Sequence, residues 1–244
     1  MDTRTQGATS KGSKRNHKNA PSVFLRSVFA IVRKDLTGEL RSRELLSAMI
    51  VFALLVIIIF NFAIELEPML RLTITPGVLW VTFIFAGTLG LNRSMAIEKD
   101  RGCLDGLLLA PVDRSVIYFG KTIGTLIFMF IVEIVVLPVY SFLYNINIFQ
   151  SGFILVIVLG SIGFVTAGTL LSSMTIQTRT RDMLLPILLF PIIIPVLLAA
   201  IKSSNGYLLS LEMTTIMPWI NLMVVYDVIF LAIGLLLFDH IVEE

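Results

Sequence analysis

Six long apolar runs fix most of what this chain can become. They fall at residues 45–64, 76–95, 122–143, 153–175, 183–201 and 218–238, each near the roughly 20 residues that a helix needs to cross a bilayer core. The second must stop near Arg93 or let that side chain reach the surface. Only 15% of the 244 residues are charged and 56% are hydrophobic, with a mean hydropathy of +0.90. Soluble domains carry about 25% charged residues. Too few polar side chains exist to cover a globule of this size in water. A soluble enzyme and a wholly disordered chain are both excluded, and an all-α integral membrane protein with six transmembrane helices is the fold class expected.

The loops between the runs orient the expected bundle. With the N-terminus inside, 17 of the 19 Lys and Arg fall on the cytoplasmic side and only Arg71 and Lys202 fall outside. That asymmetry follows the positive-inside rule, and six spans place both termini in the cytoplasm. Residues 1–22 are polar, basic and without an apolar run, and read as a disordered tail. They lack the apolar core and small-residue cleavage site of a secretory signal. Residues 23–244 form the membrane domain. Nucleic-acid binding by the tail has no aromatic interleaving or recognisable module behind it.

Residues 24–45 are amphipathic at helical spacing. Phe24, Val28, Val32, Leu36 and Leu40 recur every four residues beside Leu25 and Phe29, and Arg26, Arg33, Lys34, Arg41 and Glu44 take the other side. Asp35 and Glu39 intrude on the apolar face. The pattern predicts a helix in the membrane interface ahead of the first span.

Several chemistries are absent. One cysteine and two distant histidines, His17 and His240, make no thiolate cage, redox pair or HExxH site, so no metal site is expected. Gly120-Lys121-Thr122 matches only the end of a phosphate-binding loop, with Ser115 where the first glycine belongs. Its place at a membrane entrance makes it a coincidence as a nucleotide site. If the chain works against a gradient, ATP must be handled by another polypeptide.

The second cytoplasmic loop, residues 98–114, is the most informative stretch. Leu104, Leu107 and Leu108 form an i, i+3, i+4 patch, with Glu98, Arg101 and Asp105 on the other side of a short helix that Pro111 ends. Such a knob either docks into a groove on a cytoplasmic partner or rests on the membrane as a tight connection.

The pattern running from Glu98 through Gly102, Leu104, Asp105, Leu107, Leu108, Pro111 and Arg114 to Gly120-Lys121 resembles the coupling segment of type-2 ABC exporter permeases. More closely, the chain resembles the cytochrome c maturation haem exporter B family (CcmB). The matching stretches are Arg33-Lys34-Asp35-Leu36, Thr75-Pro76-Gly77-Val78-Leu79-Trp80-Val81 and Leu89-Gly90-Leu91-Asn92-Arg93, then the loop, then Glu133 to Pro138, and Leu184 to Leu197 with Pro186, Pro191 and Pro195. They span roughly residues 24–238. The resemblance implies a six-span permease of the bacterial inner membrane that is not itself an enzyme. Its partners would be a separate ABC ATPase, other cytochrome c maturation membrane proteins and a haem chaperone. Haem enters as substrate, either exported or loaded onto and released from the chaperone, and ATP belongs to the partner. Glu98, Arg101, Gly102, Leu104, Asp105, Leu107, Leu108 and Pro111 are then the ATPase-coupling residues. Two alternatives stand beside it: a type-2 ABC permease for a polysaccharide, lipid or drug, and an ion-driven carrier or intramembrane enzyme using Glu133 and Asp227.

Charge inside a span is costly, about 2.5–3.5 kcal/mol for an aspartate on insertion scales, so Glu133 and Asp227 must face protein or water. For Glu133 a coupling role and a helix–helix hydrogen bond weigh equally; for Asp227 the hydrogen bond is preferred. Pro186, Pro191 and Pro195 each delete a backbone donor, which makes the fifth span a kinked or broken hinge or an irregular packing surface. Gly160, Gly163, Ala167, Gly168 and Ser172 permit close helix approach, within the subunit or at a homodimer seam. Pro76, Gly77, Trp80 and Trp219 lie at the expected outer ends of two spans. The tryptophans read first as interfacial anchors and second as contacts for haem or a partner. No residue stands out as a haem-iron ligand.

Overall fold

The structure is a computed structural model of the 244-residue chain, and it describes residues 20–63, 68–100, 114–175 and 181–241. These residues are helical almost throughout: α1 (Ala20–Ser42), α2 (Glu44–Ala63), α3 (Pro68–Asp100), α4 (Arg114–Tyr144), α5 (Ser151–Thr175), α6 (Arg181–Leu208) and α7 (Met213–Ile241). Each of α2 to α7 contains a stretch long and apolar enough to cross a membrane. Every predicted run lies in one of these helices, apart from residue 64 at the end of the first, which lies outside the described residues. The tail expected at residues 1–22 lies outside the described residues except at its end, where α1 begins at Ala20.

Of the two outcomes expected at Arg93, the second holds: α3 continues to Asp100, its apolar stretch ends at Ser94, and the exposed Arg93 guanidinium reaches out to an ion pair with Glu44 at the start of α2. The pair gives the charge a partner at the mouth of the bundle, so the backbone has no need to break.

Helices α3 and α5 are the enclosed pair, and the other four keep broad apolar faces outward. Helix α5 packs on α3, α4, α6 and α7, whereas α3 packs on α2, α4, α5 and α6. The main core gathers Trp80, Phe83, Phe153, Phe164 and Tyr140 between them. A second, smaller core joins Val28, Ile31 and Val32 of α1 to Val116, Ile117 and Tyr118 of α4.

Three corners turn through left-handed residues: Arg43 (φ 54°), Asn145 (φ 52°) and Ser210 (φ 53°). At the last two, the next residue's N–H returns to the helix: Ile146 donates to the Ser141 carbonyl at 3.2 Å and Leu211 to Gly206 at 2.8 Å. This is the Schellman arrangement that satisfies a helix's last carbonyls. At Arg43 the bond runs from its own N–H to the Glu39 carbonyl, 2.7 Å, the simpler left-handed cap.

Helix α1 corrects the expected amphipathic stripe. Leu25, Phe29 and Leu40 are exposed, at 67%, 67% and 70%, whereas Ile31 is buried with Val28 and Val32. The two intruding acids explain the rotation. Asp35 faces α4, and Glu39 turns inward at the corner, where its carboxylate accepts from the Leu46 N–H at 2.8 Å and caps α2.

Candidate functional site

The end of the bundle that carries α1 is built around a clamp. Gly120 and Gly124, four residues apart on α4, leave room for α1. A Cβ at Gly120 would press on the Ile31 side chain at 2.8 Å, and one at Gly124 would touch Asp35. Between them Lys121 is almost fully enclosed, and its Nζ donates to Asp35 Oδ2 at 3.0 Å. Lys34 also approaches Asp35, 3.2 Å from Oδ1. A buried ion pair does little for net stability, but removing one partner leaves a costly charge. The pair therefore fixes where α1 sits on α4. Gly120-Lys121-Thr122 thus has a structural use where no nucleotide site was expected. Sequence reasoning named Lys121 and Asp35 without joining them. The available signal was an acid on an apolar face and a base at the mouth of a span.

Segment 98–114 connects this clamp to α3. Glu98 lies in the last turns of α3, and its side chain lies outside the described residues, as do Arg101, Gly102, Leu104, Asp105, Leu107, Leu108 and Pro111. The described ends nonetheless say what the segment can pull on. On one side is α3, the enclosed helix; on the other is the start of α4, held by α1.

The two intramembrane carboxylates contact α5 two residues apart. Glu133 of α4 is buried and accepts a hydrogen bond from the Ser161 hydroxyl, so a helix–helix bond is what this carboxylate makes. Asp227 of α7 overturns the matching expectation. It is only 5% exposed, and neither carboxylate oxygen has a hydrogen-bond partner among the described residues. Gly163 makes that position possible, because a Cβ there would sit 2.5 Å from Asp227 Oδ1 and 3.0 Å from Val196.

The other small residues of α5 are also used inside the subunit. Gly160 receives the edge of the Trp80 ring and Gly168 the Leu91 side chain, while Ala167 and Ser172 are buried. This row therefore packs within the subunit and is not left open as a homodimer seam.

Trp80 corrects the anchor reading. The indole is 2% exposed, edge-on to Phe83, and its Nε1–H donates to Ser204 Oγ at 3.1 Å, tying α3 to α6. It leaves no free ring face for headgroups or for a porphyrin. Pro76 is buried beside it, whereas Gly77 and Trp219 are half-buried. Helix α6 is unbroken across Pro186, Pro191 and Pro195. Pro191 and Pro195 face outward, and the Tyr226 hydroxyl of α7 donates to the Ile192 carbonyl between them, 3.2 Å.

The family model described as CcmB protein matches residues 26–242, from within α1 to the end of α7. The heme exporter protein B of Bradyrhizobium diazoefficiens is 22% identical over 178 residues, 72% of this chain and 80% of that protein. The Pseudomonas aeruginosa protein of the same name is 23% identical over 74% of this chain and 81% of its own. That of Haemophilus influenzae is 26% identical over 70% and 77%.

Proposed function

The chain belongs to the CcmB family, and from that premise we propose how it works as the membrane permease subunit of a haem-exporting ABC transporter in cytochrome c maturation. ATP hydrolysis resides in a separate chain. The observation that carries this reading is the family match across all six apolar helices.

The chain's part in the cycle is mechanical. The ATPase engages segment 98–111 through the Leu104, Leu107 and Leu108 patch, with Glu98, Arg101 and Asp105 steering the contact. Displacement passes to α3 directly, and to α4 through a start held by the Asp35–Lys121 clamp. Helix α3 carries it to α6 through Trp80 and Ser204. There the three prolines weaken the backbone ladder, so α6 is where the bundle bends. Asp227, unpartnered in this state, gains a donor in another. Haem, or a haem chaperone being loaded or released, is what the cycle serves. The positive-inside bias of the loops supports both termini in the cytoplasm, and membership of the family supports placement in a bacterial inner membrane. A second copy would meet this one through an outward face other than α5.

The test is affinity purification of the tagged chain from its own membranes in mild detergent, with mass spectrometry of the eluate. Co-elution of an ABC ATPase with haem-handling membrane proteins is expected. Leu104→Asp with Leu108→Asp should reach the membrane at the usual level and lose the ATPase. An ATPase without haem-handling partners would move the reading to an exporter of another substrate, and no ATPase at all would overturn it.

A further inference from the structure

At the end of the bundle opposite α1, the short connection between α4 and α5 is built rather than loose. Residues 145–149 alternate: Asn145, Asn147 and Phe149 point out, while Ile146 (7% exposed) and Ile148 (1%) are sunk into the core. The Ser141 hydroxyl donates to the Ile146 carbonyl at 2.7 Å. The Phe149 N–H donates to Asn147 Oδ1 at 3.1 Å, which leaves the amide's Nδ2 to donate elsewhere. Behind the loop, Tyr140 and Tyr144 stack at 4.1 Å. Their hydroxyls donate to Thr75 Oγ1 and to the Ile57 carbonyl, at 3.1 and 3.2 Å, so α2, α3 and α4 are fastened together here.

This frame encloses a pocket of about 380 Å³ lined by Arg71, Asn145, Asn147 and Gln150 over an apolar floor that includes Tyr144 and Leu208. That volume is within the usual range for small-ligand sites. No acid is among its described lining residues, and Arg71 forms no ion pair with the described residues. An arginine fork beside amide donors above an apolar wall matches one chemistry, a carboxylate or phosphate on an amphipathic body.

We propose that this pocket binds the anionic head of an amphipathic ligand at the outer face, with Arg71 as the charge partner and Asn147 as the orienting donor. The placement at the outer face, and the haem arm of the test below, rest on the function and orientation proposed above. Two sources supply this head: a carboxylate on the edge of the haem substrate, and the phosphate of an outer-leaflet lipid. The pocket is too small for a whole porphyrin, so the body of the ligand lies outside it.

The experiment uses the purified complex in lipid nanodiscs, wild type against Arg71→Gln. Ferric haem and its dimethyl ester, which lacks free carboxylates, are titrated by absorbance. Thermal unfolding is compared in phosphatidylglycerol and phosphatidylcholine discs. A substrate carboxylate predicts about tenfold weaker haem binding in Arg71→Gln, an equal loss for the ester on wild type, and recovery in Arg71→Lys. A lipid phosphate predicts unchanged haem binding and a phosphatidylglycerol stabilisation that Arg71→Gln abolishes. Asn147→Asp, which sets a negative charge beside the site, should reproduce the defect in either arm. Equal behaviour of wild type and Arg71→Gln in both arms overturns the proposal. The ATPase content of the same preparations separates the two claims: if it is normal while the binding arms are flat, the site fails and the permease reading stands.

Discussion

A carboxylate enclosed with neither oxygen hydrogen-bonded forfeits roughly 1–3 kcal/mol or more of solvation. Asp227 is in that position between α5 and α7, held there by the absent side chain of Gly163. A neutral amide is easier to enclose. Asp227→Asn should therefore raise the thermal midpoint of the solubilised protein while lowering cytochrome c yield a few-fold, because the amide oxygen accepts a weaker hydrogen bond than the charged carboxylate. A variant that is more stable and fully active would reduce Asp227 to a packing residue. The Asp35–Lys121 pair gives the opposite sign. Asp35→Asn takes the carboxylate away from the almost fully enclosed Lys121, and thermal unfolding should show a loss of about 3 kcal/mol; Lys121→Met leaves Asp35 with Lys34 and should cost less. The exchange Asp35→Lys with Lys121→Asp should recover part of it, which neither single change can do. Residue roles of this kind were the least legible in the sequence. Glu133 and Asp227 both stood out as acids in apolar runs, but only three-dimensional neighbours separate one with a serine from one with nothing. Trp80 looked like an anchor by its depth in the span, and Gly160, on another helix, is what let it turn inward.

Helices were far easier to read, because an apolar run of bilayer length has few alternatives. The six runs each became one helix, and the ends moved outward where caps and ion pairs, rather than apolarity, decide the stop. Arg93 paired with Glu44 and let α3 continue. Helix α1 shows the limit of periodicity. Its apolar stripe was visible, but its rotation was set by Asp35 and Glu39, whose partners lie 86 and 7 residues away. Helix α6 carries the element-scale prediction. Pro191 and Pro195 face outward, so alanine there restores backbone donors without disturbing the core. In soluble helices that change is worth about 3 kcal/mol per site. The double variant should unfold at a higher temperature and mature cytochrome c several-fold more slowly, the mark of a helix that must bend. Unchanged maturation would leave the prolines as packing features.

At the scale of the molecule, two enclosed helices and four outward ones make a bundle whose two ends have different tasks. One end gathers α1, the Asp35–Lys121 clamp and the ends of segment 98–114, proposed above to meet the ATPase; the other holds the arginine pocket. Helix α3 joins them, from Arg71 to Asp100. The assignment of coupling residues to segment 98–111 rests on the family resemblance alone, since a short amphipathic helix has the same pattern whether it docks a partner or rests on a membrane. The central claim is that this chain converts a separate ATPase's work into cytochrome c maturation through segment 98–111. Its most direct measurement is complementation: delete the gene, restore wild type or the Leu104→Asp, Leu108→Asp chain at equal membrane level, and read covalently haem-bound cytochromes by haem staining. The account predicts full restoration by wild type and a loss of tenfold or more in the variant. Normal haem-stained cytochromes in the variant, or in the deletion strain itself, would contradict it.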